Sequence, residues 1–289
     1  KFRVPPTHFL RRELGIYEGN LEEAVKKWPE VAFSKFDLIR NRRIPTQIGD
    51  MEAMLLGVIY ADGNLIVEND EENRRRIYLN GATEDFVFYR KWVVPALKQV
   101  FNLEAKLKPI RIYRIPSIEM KSEALFTWLH YHMGFPLERL GLAVPNFEND
   151  GVTWNVLKGV IAAEGRIYID EEKSVMRIID VSRDYISSIA NLARRFNFEC
   201  NESDVGNEFM LVFGKSQIKE MLRRGVFINP YHEDATLQFA REILESPTDY
   251  QGLSRAEFLL FVHLYNNGVK AGDIERHFGL GEEGSQWYA

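Results

Sequence analysis

Apolar and polar residues alternate along the chain in two matching series. In each, an apolar helical stretch ends in an acid followed by glycine, at Asp62-Gly63 and again at Glu164-Gly165. A short apolar strand comes next (Leu65-Ile66-Val67; Ile167-Tyr168-Ile169), then an acidic loop, then a second strand (Arg76 to Leu79; Arg177 to Ile179). Thr83 and Ser182 stand where the following helix needs a hydroxyl to accept from its free backbone N–H groups. A later strand or hairpin (Ile110 to Ile115; Phe209 to Phe213) and a closing helix (Ser122 to Met133; Ser216 to Arg224) complete each series. The pattern predicts an α+β fold: two pseudo-symmetric αββαββα repeats, at 48–150 and 151–228. Short helices at Leu21 to Trp28 and Phe33 to Arg40 mark a small N-terminal region, 1–47, and a further helical region covers 229–289.

The repeat is explicit in the residues. Leu55-Leu56-Gly57-Val58-Ile59-Tyr60-Ala61-Asp62-Gly63 recurs as Leu157-Lys158-Gly159-Val160-Ile161-Ala162-Ala163-Glu164-Gly165, identical at six of nine positions and with an acid matched to an acid. Gly57 and Ala61 are four apart, as are Gly159 and Ala163, so each helix carries a stripe without bulky side chains. Two such stripes let helices approach more closely than the usual 8–10 Å or so. Packed side by side, the helices end at one level and bring Asp62 and Glu164 together. Carboxylates are disfavoured at helix C-termini, and a pair of them calls for a hard divalent cation such as Mg²⁺ or Mn²⁺. Gly63 and Gly165 are expected to end their helices in the left-handed conformation.

Composition narrows the classes. At 289 residues, 45% hydrophobic and 27% charged, the chain has the make-up of a folded globular protein. No apolar run reaches the roughly 18–20 residues that a membrane-spanning helix needs, and no signal peptide is visible, so an intracellular protein is expected. The lone Cys200 excludes an intrachain disulfide and a cysteine-based zinc site. A net charge of −5 counts against a nucleic-acid binder until it is read by segment. From Arg74 to Lys121 there are 11 Lys and Arg against 4 acids; from Asn229 to Ala289 there are 4 against 10. Within Arg111 to Ile115, period 2 places Arg111 and Tyr113 on one face and Arg114 on the other, so the basic residues are spread over a sheet rather than along one stripe. His130 and His132, two apart on a helix, point different ways, and His232-Glu233-Asp234 reads as a loop without a partner.

The doubled motif resembles that of the LAGLIDADG homing endonucleases, over about residues 50 to 228, with further likeness from Gly134-Phe135-Pro136 to Val144-Pro145. The resemblance implies the monomeric two-motif form, in which two antiparallel sheets make a saddle over double-stranded DNA. It implies an asymmetric target and cleavage of both strands with Mg²⁺ or Mn²⁺ held by Asp62 and Glu164. Arg74, Arg75, Arg76, Arg111, Arg114, Lys121, Arg166, Arg177 and Lys215 are then candidates for contact with DNA. The chain departs from the family where active relatives carry a lysine past the second strand of each repeat: Gly81-Ala82 and Asp180-Val181 supply no cation. Lys121 and Lys215 are candidate substitutes. A DNA-binding regulator or scaffold that keeps the fold without cutting is therefore a second reading. Val269 to Leu280 resembles the first helix and turn of a helix-turn-helix, but the acidic residues from Glu282 on suit DNA poorly, so a protein partner is as open as DNA for this module.

Overall fold

The computed structural model describes residues 20–67, 75–110, 115–169, 174–229 and 232. The helix-turn-helix-like string, Arg74, Arg111 and Arg114 lie outside these residues. Helices α1 (Asn20–Lys27) and α2 (Lys35–Ile39) belong to the described part of the N-terminal region. Repeat 1 runs α3 (Asp50–Asp62), β1 (Gly63–Val67), β2 (Arg75–Asn80), a helical stretch opening at Thr83–Asp85, a π-helical segment (Tyr89–Val93), α4 (Val94–Phe101), β3 (Leu107–Ile110), β4 (Ile115–Met120) and α5 (Glu123–Tyr131). Repeat 2 runs α6 (Asp150–Glu164), β5 (Arg166–Ile169), β6 (Ser174–Asp180), α7 (Arg183–Arg195), β7 (Asn201–Val205), β8 (Glu208–Gly214) and α8 (Lys215–Arg223).

Each repeat forms a four-stranded antiparallel sheet with the same order, β1-β2-β4-β3 and β5-β6-β8-β7. This is the two-repeat topology that the LAGLIDADG resemblance implies. Alternation sorts the faces. In the first sheet Leu65, Ile77, Leu79 and Ile118 are buried beneath the helices; in the second, Met176, Ile178, Leu211 and Phe213 are. The opposite faces are open and carry Asn64, Tyr78 and Asn80 on one sheet and Tyr168, Arg177 and Ile179 on the other.

The motif helices α3 and α6 form the seam between the repeats. A Cβ on Gly57 would stand 2.1 Å from the Val156 carbonyl oxygen and 2.9 Å from Gly159 Cα; one on Gly159 would stand 2.0 Å from the Met54 carbonyl oxygen. The backbones therefore touch directly, at the positions where the sequence lacks side chains. Ala61 and Ala163 continue the seam and are buried. Eight of the thirteen residues of α3, from Ala53 to Ala61, are buried, so this helix lies inside the molecule with neighbours on all sides.

Three local expectations are corrected. Gly63 (φ −83°, ψ 150°) and Gly165 (φ −64°, ψ 115°) cap their helices in extended, not left-handed, backbone. Glycine is required there for space: a Cβ would meet the Ile59 carbonyl oxygen at 2.1 Å in the first case and that of Ile161 at 2.6 Å in the second. Thr83 is not an N-cap. Ala82 takes that position, and its N–H donates to Asp85 Oδ2 at 2.8 Å, while Ser182 caps α7 through Tyr185 N as expected. His232 is not a partnerless loop residue: it is buried, with Nε2 2.8 Å from the Gly165 carbonyl oxygen.

The N-terminal region is built into repeat 1. Asp37 is almost fully buried, and its Oδ2 accepts from Ser34 N and Oγ and from Glu123 N and Ala124 N. One carboxylate thus caps both α2 and α5.

Candidate functional site

Asp62 and Glu164 end the two motif helices and line one cavity of about 350 Å³ between the repeats. Its wall adds Asn80, Gly81 and Ala82 from repeat 1 and Arg166, Tyr168 and Arg177 from repeat 2. The convergence of the two acids expected from the sequence is present. The same pairing puts two anions in a desolvated place. Burial pushes Asp62 up to about 7, against the bond from Tyr89 and with the negative charge of Asp85 adding to the rise. Burial also raises Glu164 well above the usual carboxylate range; Arg139 opposes the rise and Asp62 reinforces it.

Each acid has its own fixed partner. The Tyr89 hydroxyl donates to Asp62 Oδ2 at 2.6 Å. Tyr89 opens the π-helical segment that precedes α4, a wider turn that often marks functional positions. Glu164 Oε1 accepts from Arg139 Nη2 at 2.9 Å. Glu164 Oε2 is buried and has no hydrogen-bonding partner; the Tyr185 hydroxyl interacts with this carboxylate but lacks hydrogen-bond geometry.

Arg139 lies in the connection between the repeats and ties several groups together. Its Nε and Nη2 bind Asp180 Oδ2 at 2.9 and 2.6 Å, its Nη1 donates to the Tyr60 carbonyl at 2.9 Å, and its guanidinium lies over the Tyr185 ring. It thus places a cation on the C-terminus of α3, where the helix dipole is negative, and on the acid that ends α6. Replacement by methionine, Arg139→Met, is expected to cost about 3–5 kcal/mol at pH 8, because it strands Glu164 and Asp180 without a counter-charge. The cost shrinks as the pH falls, because Glu164, whose pKa burial raises, then takes up a proton. Urea melts at pH 8 and pH 5 measure it, and an equal loss at both would contradict the pairing.

A second cation stands on the opposite side. Arg166 Nη2 pairs with the fully buried Asp85 at 2.7 Å, and Asn229 Nδ2 donates to Asp85 Oδ1 and to the Ala162 carbonyl, both at 2.7 Å. Burial lowers His232 to about 4, so the ring that meets the Gly165 carbonyl is neutral. The C-terminal ends of both motif helices are therefore held by donors from the segments that follow the repeats. Sequence reasoning missed Arg139, Tyr89, Asp85 and Asn229, none of which belongs to a spaced motif.

The DNA-contact candidates divide by position. Arg166 and Arg177 lie directly opposite each other on β5 and β6 and line the acid cavity, Arg177 over the Tyr168 ring at 4.9 Å. Arg76 is on the open face of the first sheet, ion-paired with Glu119. Arg75 is on the helix-covered side of β2, paired with Glu123 and over the Phe126 ring. Lys121 pairs with Glu119 at 3.3 Å and lines a different cavity, at the outer edge of repeat 1. Lys215 is exposed at the start of α8 and does not line the acid cavity. Among the described residues no group of three or more His, Cys, Asp or Glu is placed to hold a metal ion.

No protein-family profile and no curated protein sequence matches the chain. Solved structures do. The structure of mesophilic variants of the homing endonuclease I-DmoI is 18% identical with a TM-score of 0.47, covering 65% of this chain and 97% of that one. The N-terminal LAGLIDADG domain of DUF199/WhiA is 15% identical with a TM-score of 0.46, covering 71% and 98%. Full-length DUF199/WhiA from Thermatoga maritima is 14% identical with a TM-score of 0.44, covering 87% and 92%. All three TM-scores lie below 0.5, and the fold stands on the topology and the seam described above.

Proposed function

We propose that this two-repeat chain binds double-stranded DNA across the open faces of its sheets and cuts both strands with the help of a divalent cation. The observation that carries the reading is the meeting of both motif carboxylates in one cavity between the repeats. Two buried anions side by side are costly for a protein that only needs a packed seam. The donor set suits Mg²⁺ or Mn²⁺: two carboxylates, of which Glu164 keeps a buried Oε2 that accepts no well-formed hydrogen bond. Asp62 and Glu164 would hold the ion, which when bound lowers the pKa of water and stabilises the leaving oxygen. Tyr89 fixes the Asp62 carboxylate and Arg139 that of Glu164. Arg166 and Arg177 line the same cavity; in this reading they would meet phosphate and take the role of the cations absent from positions 82 and 181. Because both halves of the site are in one chain and their open faces differ, the reading implies a monomer with an asymmetric target.

One observation favours a second reading. Arg139 already neutralises Glu164 within the protein, which suits a regulator or scaffold that binds duplex DNA without cutting it. A pool of random duplexes separates the two. Cleavage that needs Mg²⁺ or Mn²⁺ and stops with EDTA is the expected result. Duplex binding without cleavage at any sequence would establish the second reading, and no binding at low salt would end both. A divalent ion is also expected to raise the melting temperature by several degrees at pH 8 and by much less at pH 5. At pH 5 Asp62, raised to about 7, holds a proton that competes with the ion, and the raised Glu164 acts in the same direction. Equal shifts at the two pH values would place the ion elsewhere.

A further inference from the structure

A second cavity, of about 420 Å³, opens at the outer edge of repeat 1, away from the motif acids. Arg40, Arg42, Lys98, Lys106, Lys108 and Lys121 line it, against two carboxylates, Glu104 and Glu119. Those two acids are shared out: Glu104 pairs with Lys98 at 3.0 Å, and Glu119 is divided among Arg76, Lys108 and Lys121. Burial, and after it the neighbouring charge of Arg40, lower the pKa of Arg42 against the opposing charges of Asp37 and Glu104.

The wall is built rather than incidental. Asn102 ends α4 in left-handed backbone, at φ 50°. Its Nδ2 donates to the carbonyls of Arg40 and Asn41, its own carbonyl accepts from the Arg42 guanidinium, and Arg43 N donates to the Phe101 carbonyl. The turn from Arg40 to Arg43 is thereby fastened to repeat 1 with Arg40 and Arg42 at the cavity.

Repeat 2 supplies an internal control. Phe101-Asn102-Leu103-Glu104-Ala105-Lys106-Leu107-Lys108 matches Phe196-Asn197-Phe198-Glu199-Cys200-Asn201-Glu202-Ser203. Asn197 repeats the left-handed turn, at φ 63°. The same backbone is thus made without the cations: Asn201 and Ser203 stand where Lys106 and Lys108 do. The lysines are not needed by the fold.

We propose that this cavity is a phosphate-binding extension of the DNA surface, which grips the duplex backbone outside the central site on the repeat 1 side only. The inference rests on the DNA-binding reading and adds a one-sided footprint to it. Lys108 and Glu119 lie on β3 and β4, whose open face continues that of β2, so a duplex laid across the first sheet runs on toward the cavity. Phosphates are the anions repeated along such a path.

Hydroxyl-radical footprinting on a duplex selected from a random pool tests it. Wild type is expected to protect the centre and, on one side only, a further patch of backbone. The variant Arg40→Gln/Lys106→Asn/Lys108→Ser uses two residues that repeat 2 already carries. It is expected to keep the central protection, lose the outer patch and lower the slope of log K against log salt by about 2–3. Its melting temperature should match wild type, since the changed residues are exposed. A protected centre with a symmetric or absent outer patch in wild type, or an unchanged slope in the variant, overturns the extension alone. Failure to protect any duplex overturns the DNA reading and the extension together.

Discussion

Gly57→Ala is expected to cost about 4 kcal/mol or more, which for a domain stabilised by roughly 5–15 kcal/mol leaves little fold. Two effects oppose each other. Alanine in a helix interior is favoured over glycine by about 1 kcal/mol. Against this, the new methyl would lie 2.1 Å from the Val156 carbonyl oxygen and 2.9 Å from Gly159 Cα, both of them backbone atoms. A side chain in that place could turn away; backbone moves only if the whole helix moves, and the seam has to open along its length. Gly57→Leu is expected not to fold. Gly214→Ala is the matched control, since a Cβ there meets nothing within 4 Å. Urea denaturation measures both, and a Gly57→Ala protein with the wild-type midpoint would refute direct backbone contact.

Asp62→Asn is expected to move activity and stability in opposite directions. Cleavage falls by a thousand-fold or more under the proposed function, because an amide is a poor ligand for a hard cation. Stability rises. The folded-state pKa of Asp62 is about 7, above its ordinary value of 3.8, so the folded protein binds a proton that the unfolded chain releases. Stability is therefore fullest below about pH 4 and is lost as pH climbs to about 7. The loss at pH 8 amounts to at most about 4 kcal/mol. Asparagine cannot ionise and its side-chain oxygen still accepts from Tyr89, so the variant escapes this loss. Melting curves from pH 5 to 8 should show the gap between variant and wild type widening with pH. A variant less stable than wild type at pH 8 would mean that the carboxylate is not strained in the fold. Cutting that persists in the variant would remove Asp62 from the site.

The parts of the fold written in short-range pattern were legible. The strands expected at Arg76 to Leu79, Arg177 to Ile179 and Phe209 to Phe213 are all present, and the doubled nine residues announce both the seam and the acid pair. What escaped depends on contacts across long stretches of chain. Arg139 sits in a connection without periodicity, and its partners at 60, 164 and 180 meet it only after both repeats close. Tyr89 reaches Asp62 from a π-helical turn, which shifts the register that a period of 3.6 assumes. Asp85 carries no signal in the sequence, and Arg166 and Asn229, which hold it inside, come from 81 and 144 residues further on. Gly63 was legible as obligatory, though for a different reason: a carbonyl stands where its side chain would be, with no unusual torsion.

The burial of α3 on every side has a consequence for synthesis. Its closest cover is α6, which begins 88 residues after α3 ends. When the ribosome has released only the first half, that helix still presents bare peptide groups to water and has no companion to shield them. The first half is thus unable to settle by itself, and heating should dismantle both halves in a single cooperative step, although the architecture is that of two modules.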